Sequence, residues 1–140
     1  VIAIEKDMMN AEIGFGRKVL EVLENYDISF EHMPSGIDAM CVIVPTEALE
    51  GKREQLLRSI QRQTHADHIE IQDGMCLIAV VGRGMVHAKG TAARVCDAVS
   101  DAGVNIRMID QGSSELNIIL GVDNGAYETA LSAIFREFVK

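Results

Sequence analysis

The sequence has 140 residues, 48% of them hydrophobic and 24% charged, and its formal net charge at pH 7 is -8. A chain of this size buries roughly two thirds of the surface that it exposes when unfolded, which is enough for one domain or two small ones. The acidic balance disfavours nucleic-acid binding, which rests on clustered Lys and Arg, and no apolar run approaches the roughly 20 residues of a membrane-spanning helix.

The first half of the chain is predicted to form six elements. A short apolar run at 1–4 is typical of a buried strand, and residues 14–26 place Phe15, Val19 and Leu23 at the spacing of an amphipathic helix. Strands are predicted at 28–33 and 40–44, joined by a turn, followed by a helix at 46–64 with Thr46 as a possible cap and a strand at 69–72. This order of elements is the ferredoxin-like arrangement.

The second half repeats the first at a fixed offset of 76 residues. Residues 1–44 align with 77–120 without a gap, and seven of these positions are identical, among them Gly14 with Gly90. The pattern predicts strands at 75–81, 104–109 and 115–122, and helices at 89–102 and 126–138. We therefore predict an α+β chain of two ferredoxin-like βαββαβ units, at 1–74 and 75–140, each with an antiparallel sheet and helices on one face.

The second unit is predicted to lack its last strand. The counterpart of the strand at 69–72 would fall at 145–148, beyond the last residue of the sequence. A sheet without this member would have an unpaired edge or an exposed apolar strip, which proteins rarely tolerate. We expect the missing strand to come from residues upstream of Val1 in a longer polypeptide, or another chain to cover the gap.

The sequence carries no motif typical of an enzyme. It contains neither the phosphate-binding loop GxxxxGK[ST] nor the nucleophile elbow GxSxG, so we expect no catalytic residue in this chain. His65 and His68 lie three residues apart, but no third ligand has motif spacing, so a metal site is not expected either. Cys41, Cys76 and Cys96 are widely spaced in apolar runs, which favours buried thiols in a reducing cytoplasm.

Glycines mark the passage from the first strand to the first helix in both units. Gly14 and Gly16 lie there in the first unit, and Gly82, Gly84 and Gly90 in the second. Glycine lets the backbone approach a ligand closely, and the following helix start presents free N–H groups, a combination that suits a carboxylate. The alternative is that these glycines only make a tight turn, and the residues themselves do not decide between the two.

The second strand of the first unit offers groups that could receive an ammonium ion. Ser29, Phe30 and Glu31 supply a hydroxyl, main-chain carbonyls and a carboxylate, and Asp38 adds another anion. In the second unit Arg107 replaces Glu31 and would repel an ammonium group, so the two units are not chemically equivalent. A solvated strand edge with charged side chains is the alternative interpretation.

Several stretches resemble one known family. The stretch NIRMIDQGSSELNI at 105–118 resembles the signature of the second ACT domain of aspartate kinases, and VGRGM at 81–85 resembles the loop before it. EKDMMN at 5–10 and SFEHMPSGID at 29–38 are similar to the first ACT domain of that family. The resemblance covers nearly all of the chain.

The resemblance implies a regulatory function rather than a catalytic one. In that family the paired ACT domains follow an amino-terminal kinase domain, which uses ATP and Mg to phosphorylate the side-chain carboxylate of aspartate. The KFGGTS-type motif of the kinase is absent here. We therefore expect this chain to mediate feedback inhibition by lysine or threonine within a cytoplasmic homodimer, or, as the alternative, to serve as a dimerisation module without a ligand.

The resemblance also implies where the effector binds. Its carboxylate is expected at the first loop and helix start, and its amine at the second strand, with main-chain contacts from the second unit in a paired arrangement. The acidic residues favour a cationic effector, hence lysine, although the loop is one residue longer than in some relatives. The expected effector-binding residues are Met8, Glu12, Gly14, Phe15, Gly16, Ser29, Phe30, Glu31, Ser35 and Asp38, together with Asn105 and Ile106.

Overall fold

The computed structural model describes residues 1–139, which fold as two compact units divided between Asp73 and Gly74. Each unit has an antiparallel sheet and two α-helices, as the ferredoxin-like arrangement requires. Each also has its own hydrophobic core. The α+β class and the two related units predicted from the sequence repeat are confirmed.

The first unit is built on a central strand that pairs on both sides. Strands β1 (Ile2–Glu5), β2 (Ala39–Val42) and β3 (His68–Ile71) form a sheet of order β2-β1-β3, in which Ile2 faces both Val42 and Ile71. Helices α1 (Phe15–Asn25) and α2 (Arg53–Thr64) pack together and bury their apolar stripes in the core. Buried apolar area of this kind contributes roughly 25 cal/mol per Å² to folding.

The predicted strand at 28–33 is reduced to an extended edge segment. Between residues 28 and 35 the pairing with β2 and its extension consists of two isolated bridges, His32 to Ile43 and Ser35 to Met40. Backbone hydrogen bonds from Glu31 N to Ile43 O and from Cys41 N to Pro34 O complete the contact. Proline has no N–H to donate, so the ladder is interrupted near Pro34. We call residues 28–35 the edge segment.

The helix predicted at 46–64 is also wrong at its beginning. Residues Thr46–Leu49 form a separate 3-10 turn, and α2 starts only at Arg53. Gly51 between them adopts φ +71, a left-handed conformation that ends the turn and separates it from the helix. The side chain of Thr46 forms no capping hydrogen bond.

The second unit also has a three-stranded sheet, but among the described residues it lacks a counterpart of β3. Strands β4 (Met75–Val81), β5 (Met108–Asp110) and β6 (Asn117–Asp123) form a sheet of order β4-β6-β5, covered by α3 (Thr91–Asp101) and α4 (Tyr127–Phe138). The strand predicted at 104–109 is shorter in the structure, where β5 spans only Met108–Asp110. Among the described residues nothing pairs with the outer side of β4, the position that β3 occupies beside β1 in the first unit.

The open side of β4 borders an apolar groove of about 620 Å³. Side chains from β4 and α4 line it, including Val80, Val81, Leu131 and Phe135. Val81 is 72% exposed and Phe135 61% exposed, whereas in the first unit Ile69 and Ile71 of β3 pack against the core at the corresponding place. The apolar strip expected from the missing strand is present on this face.

Candidate functional site

The candidate site is centred on the connection between β1 and α1, residues 6–14, which we call the first loop. A short 3-10 turn, Met9–Ala11, lies within it, and Met9 is buried and anchors it to the core. Met8 and Gly14 have positive φ values of 59° and 82°, so the chain reverses direction at both ends of the turn. Gly14 is the residue before α1, and its counterpart Gly90 has φ +83 before α3.

On one side the first loop is hydrogen-bonded to the turn before β2. Lys6 N donates to Asp38 O at 2.9 Å, and Asn10 N donates to Ile37 O at 3.0 Å. Met8 N donates to the Oδ1 atom of Asp38 at 3.0 Å. The structure thus brings Met8 and Asp38 together, and the Asp38 carboxylate accepts a backbone amide instead of standing free.

On the other side the first loop is tied to the end of α2. Lys6 Nζ lies 2.6 Å from Glu12 Oε1 and 2.8 Å from the carbonyl oxygen of Thr64, in the last turn of that helix. Asp7 N donates to Asp67 Oδ2 at 2.8 Å, and Asp67 N donates to Glu5 O at 2.8 Å. The loop is therefore bridged to the α2–β3 connection by charged and backbone groups together.

Two of the predicted effector-binding residues are already engaged within this network. The hydrogen bond from Lys6 is the main reason why the pKa of the Glu12 carboxyl is lowered, with the charge of Lys18 acting in the same direction from 3.8 Å. Phe15 is buried in the core, and the Lys6 ammonium lies 5.7 Å from the centre of its ring. Both side chains are placed to shape the loop.

The remaining predicted residues of the first unit lie at the two opposite ends of the sheet. Ser35 bridges Met40, which faces Ile4, so Ser35 is near the first loop. His32 bridges Ile43, one residue beyond Val42, which faces Ile2 at the start of β1.

Ser29, Phe30 and Glu31 lie still further from the loop than His32. At about 3.3 Å per residue, the register separates them from the level of Ser35 by more than 10 Å. A single copy therefore does not gather the loop and Ser29–Glu31 around one small ligand. Gly16, in the first turn of α1, faces Met40 at the loop end.

The second unit holds its equivalent loop by different contacts. His87 N donates to Glu115 Oε2 at 2.6 Å, and both residues have positive φ values. Arg107, at the position of Glu31, donates to Asp123 Oδ1 at 2.9 Å. The two predicted residues of this unit differ in exposure, since Asn105 is exposed whereas Ile106 packs partly against the core.

Sequence reasoning missed Lys6 as a part of the site. No local spacing links Lys6 to Thr64, because the two residues are 58 positions apart and meet only through the fold. It also missed Ile13 and Ile37, two apolar side chains that are exposed around the loop beside Met8. Ile13 is 98% exposed, and Met8 and Ile37 are more than half exposed. These three residues form what we call the apolar rim.

Residues 1–139 contain no cluster of three His, Cys, Asp or Glu side chains placed to hold a metal ion. Over the same part of the chain, none of the helices combines the length and the apolar character needed to cross a lipid bilayer.

The chain resembles known proteins both in sequence and in fold. Residues 78–138, which make up most of the second unit, match the sequence profile of the ACT domain. The whole chain is similar to a part of the aspartokinases. It is 42% identical over 138 residues to aspartokinase 3 of Bacillus subtilis (strain 168), which is 98% of this chain and 30% of that protein.

Solved structures agree with this assignment. The aspartate kinase of Clostridium acetobutylicum is 47% identical, with a TM-score of 0.93 over 98% of this chain and 32% of that one. Aspartokinase III of E. coli in complex with lysine and aspartate (T-state) shares the fold at 20% identity, with a TM-score of 0.75 over 99% of this chain and 31% of that one. The chain thus spans about a third of the length of these relatives.

Proposed function

We propose that this chain is the amino-acid-binding regulatory region of an aspartate kinase and mediates feedback inhibition by an end product of the aspartate pathway. Lysine is the favoured effector and threonine the alternative. The aspartokinase relatives support the assignment, and the E. coli enzyme of the same fold is described with lysine bound. In the full-length protein an amino-terminal kinase domain would use ATP and Mg to phosphorylate aspartate in the cytoplasm.

One observation carries the proposal in its dimeric form: the candidate residues lie at opposite ends of one sheet. The edge segment pairs on one side only, with β2 and its extension, in the part of the chain that the structure describes. If two copies pair antiparallel along their edge segments about a two-fold axis near Met33, Glu31 of one copy faces Ser35 of the other. Each loop then meets the Ser29–Glu31 end of the second copy.

The exposed side chains around the first loop support the same arrangement. Ile13 presents almost its entire side chain to solvent, and the other two members of the apolar rim are mostly exposed. Clustered apolar side chains of this kind are typical of interaction surfaces. A homodimer through the first units would cover part of the rim and complete both sites at once.

The chemistry of the site suits a free amino acid. The helix start after Gly14 offers unpaired N–H groups and a partial positive charge to the effector carboxylate. The exposed carboxylate of Glu31 in the second copy would receive the ammonium group, with Ser29 and the Phe30 backbone beside it. Because Asp38 already accepts the Met8 amide, Glu31 carries the preference for a cationic effector.

Regulation then follows from a shift between two arrangements. The effector stabilises the paired arrangement of the first units. In this arrangement the attached kinase domain is inactive. Coupling between an effector site and an active site is typically about 1 to 3 kcal/mol. The effector must contact the two arrangements differently for this shift to occur.

The proposal is tested by titrating L-lysine and L-threonine into the chain by calorimetry, with Glu31→Gln as the variant. We expect lysine to bind, and Glu31→Gln to weaken binding about tenfold, because a charge-assisted hydrogen bond is lost. Glu24→Gln, which neutralises an exposed carboxylate of α1, is the control and should leave the affinity unchanged. If neither L-lysine nor L-threonine produces heat of binding, the proposal is contradicted.

A second candidate function is a dimerisation module that needs no ligand. The exposed apolar rim favours it, because such a surface could associate in the absence of any effector. In that case the chain would dimerise equally well with and without amino acids, and Glu31→Gln would change nothing.

The groove beside β4 supports a further part of the proposal. We propose that residues 1–74 form the first ACT domain and 75–140 an incomplete second one, completed by an extended segment that pairs antiparallel with β4. By analogy with β3, alternate apolar side chains of this segment would fill the groove. Residues that precede Val1 in the full-length protein are the expected source.

A further inference from the structure

Lys6 joins three parts of the first unit through one ammonium group. Its Nζ atom contacts Glu12 in the first loop and the Thr64 carbonyl at the end of α2, and it lies over the ring of Phe15 at the start of α1. The side chain is only 20% exposed, so these contacts are largely shielded from water. A Lys at a helix end satisfies a carbonyl that lacks an intrahelical partner and interacts favourably with the helix dipole.

The repeat shows that this connection is not required by the fold. At the offset of 76, Gly82 replaces Lys6, Ala88 replaces Glu12 and Thr91 replaces Phe15. The second unit reaches an equivalent helix start, with Gly90 before α3, and has no counterpart of the Lys6, Glu12 or Phe15 side chains. It also lacks, among the described residues, a counterpart of β3, the strand that follows the connection to which the first unit ties its loop. The Lys6 network therefore belongs to what distinguishes the first unit from the second.

Glu12 makes the role of Lys6 more specific. It lies two residues before Gly14, close to where the effector carboxylate is proposed to bind, and an uncompensated anion there would repel that carboxylate. Lys6 and Lys18 both face Glu12, and of the two only Lys6 also reaches α2. The coulombic influence of His65, next to Thr64, reaches Glu12 as well.

We infer that Lys6 is a positioning residue for the effector site: it locks the first loop and the start of α1 to the end of α2 and thereby sets effector affinity without touching the effector. The inference rests on the proposed function. It assigns to Glu12 a partner within the chain in place of a direct contact with the effector. By this inference the α2–β3 connection, residues 64–67, holds the first loop in place through Thr64 and Asp67.

The test compares three variants of the chain. Lys6→Met keeps the length of the side chain and removes its charge, Lys6→Arg keeps both charge and donors, and Lys18→Met removes the other partner of Glu12 without touching α2. L-lysine affinity is measured by calorimetry. In the free chain, NMR follows the titration of the Glu12 carboxyl and the hydrogen exchange of the Asp7 and Met8 amides.

For Lys6→Met we expect affinity for L-lysine to fall about tenfold, a Glu12 pKa that rises toward its ordinary value, and faster exchange of both amides. Lys6→Arg should restore all three, and Lys18→Met should change affinity less than about threefold, since its ion pair with Glu12 is longer, at 3.8 Å against 2.6 Å for Lys6. Unchanged or tighter binding by Lys6→Met, or an equal loss in Lys18→Met, would overturn the inference.

A fourth variant separates positioning from charge and covers the case in which Lys6→Met does not fold. Glu12→Gln removes the ion pair with Lys6 by changing the residue in the loop. A positioning role of Lys6 then predicts weaker binding of L-lysine. A purely electrostatic role of Lys6 predicts tighter binding, because a negative charge near the effector carboxylate is removed. If the unsubstituted chain binds no amino acid, the proposed function fails, whereas the Glu12 titration and the amide exchange still decide whether Lys6 holds the loop.

Discussion

Gly14 and Gly90 show what glycine does at the start of the first helix in each unit. The sequence left open whether these residues allow a ligand to approach or only allow the chain to turn. Their φ values of 82° and 83° answer part of the question, because a side chain is strained in that conformation whether or not a ligand binds. Gly16 is different, since it lies inside α1 with an ordinary φ, and an added Cβ atom would meet Met40 Cε at an ordinary van der Waals distance of 3.8 Å.

The two glycines of the first unit therefore respond in opposite directions to alanine. We expect Gly14→Ala to destabilise the chain by about 1 to 2 kcal/mol, the cost of a left-handed conformation for a residue with a Cβ atom. Gly16→Ala should be neutral or stabilise it by up to about 1 kcal/mol, since alanine favours the helix. Chemical denaturation measures both, and an equal destabilisation by the two variants would contradict this assignment.

At the level of elements, the sequence predicted most accurately what a local pattern determines. Strand β4 was predicted at its observed limits, because seven apolar or small residues stand between a turn and a glycine-rich loop. The helix at 46–64 was misjudged because apolar spacing does not reveal that Gly51 turns to positive φ. The distance along the sheet between Ser29–Glu31 and the first loop depends on the register of the hairpin. The residue pattern alone does not determine that register.

Strand β4 is at the open edge of its sheet among the described residues, so a strand that pairs with it should protect its amides from exchange. In a longer chain that includes residues preceding Val1, we expect β4 amides that point away from β6 to exchange with solvent at least tenfold more slowly, because a strand pairs with them. Amides of β1 are the internal control, since β1 is already paired on both sides. Identical exchange of β4 in the short and long chains would show that these residues do not supply the missing strand.

In the molecule as a whole, the two halves of a duplicated fold are chemically different. The first unit carries Lys6, Glu12 and Glu31 where the second carries Gly82, Ala88 and Arg107. Arg107, which donates to Asp123 Oδ1, places a guanidinium where the first unit has the Glu31 carboxylate. We therefore propose that the first unit is the one that binds an amino acid, although its sheet places the first loop and Ser29–Glu31 at opposite ends.

We propose that an amino acid bridges two copies of the first unit, which sedimentation equilibrium with and without L-lysine would detect as a change in mass. We predict that lysine shifts the chain toward twice its mass, and that Glu31→Gln reduces this shift, since each site takes its carboxylate from the second copy. A chain that binds lysine tightly while remaining monomeric would contradict the account.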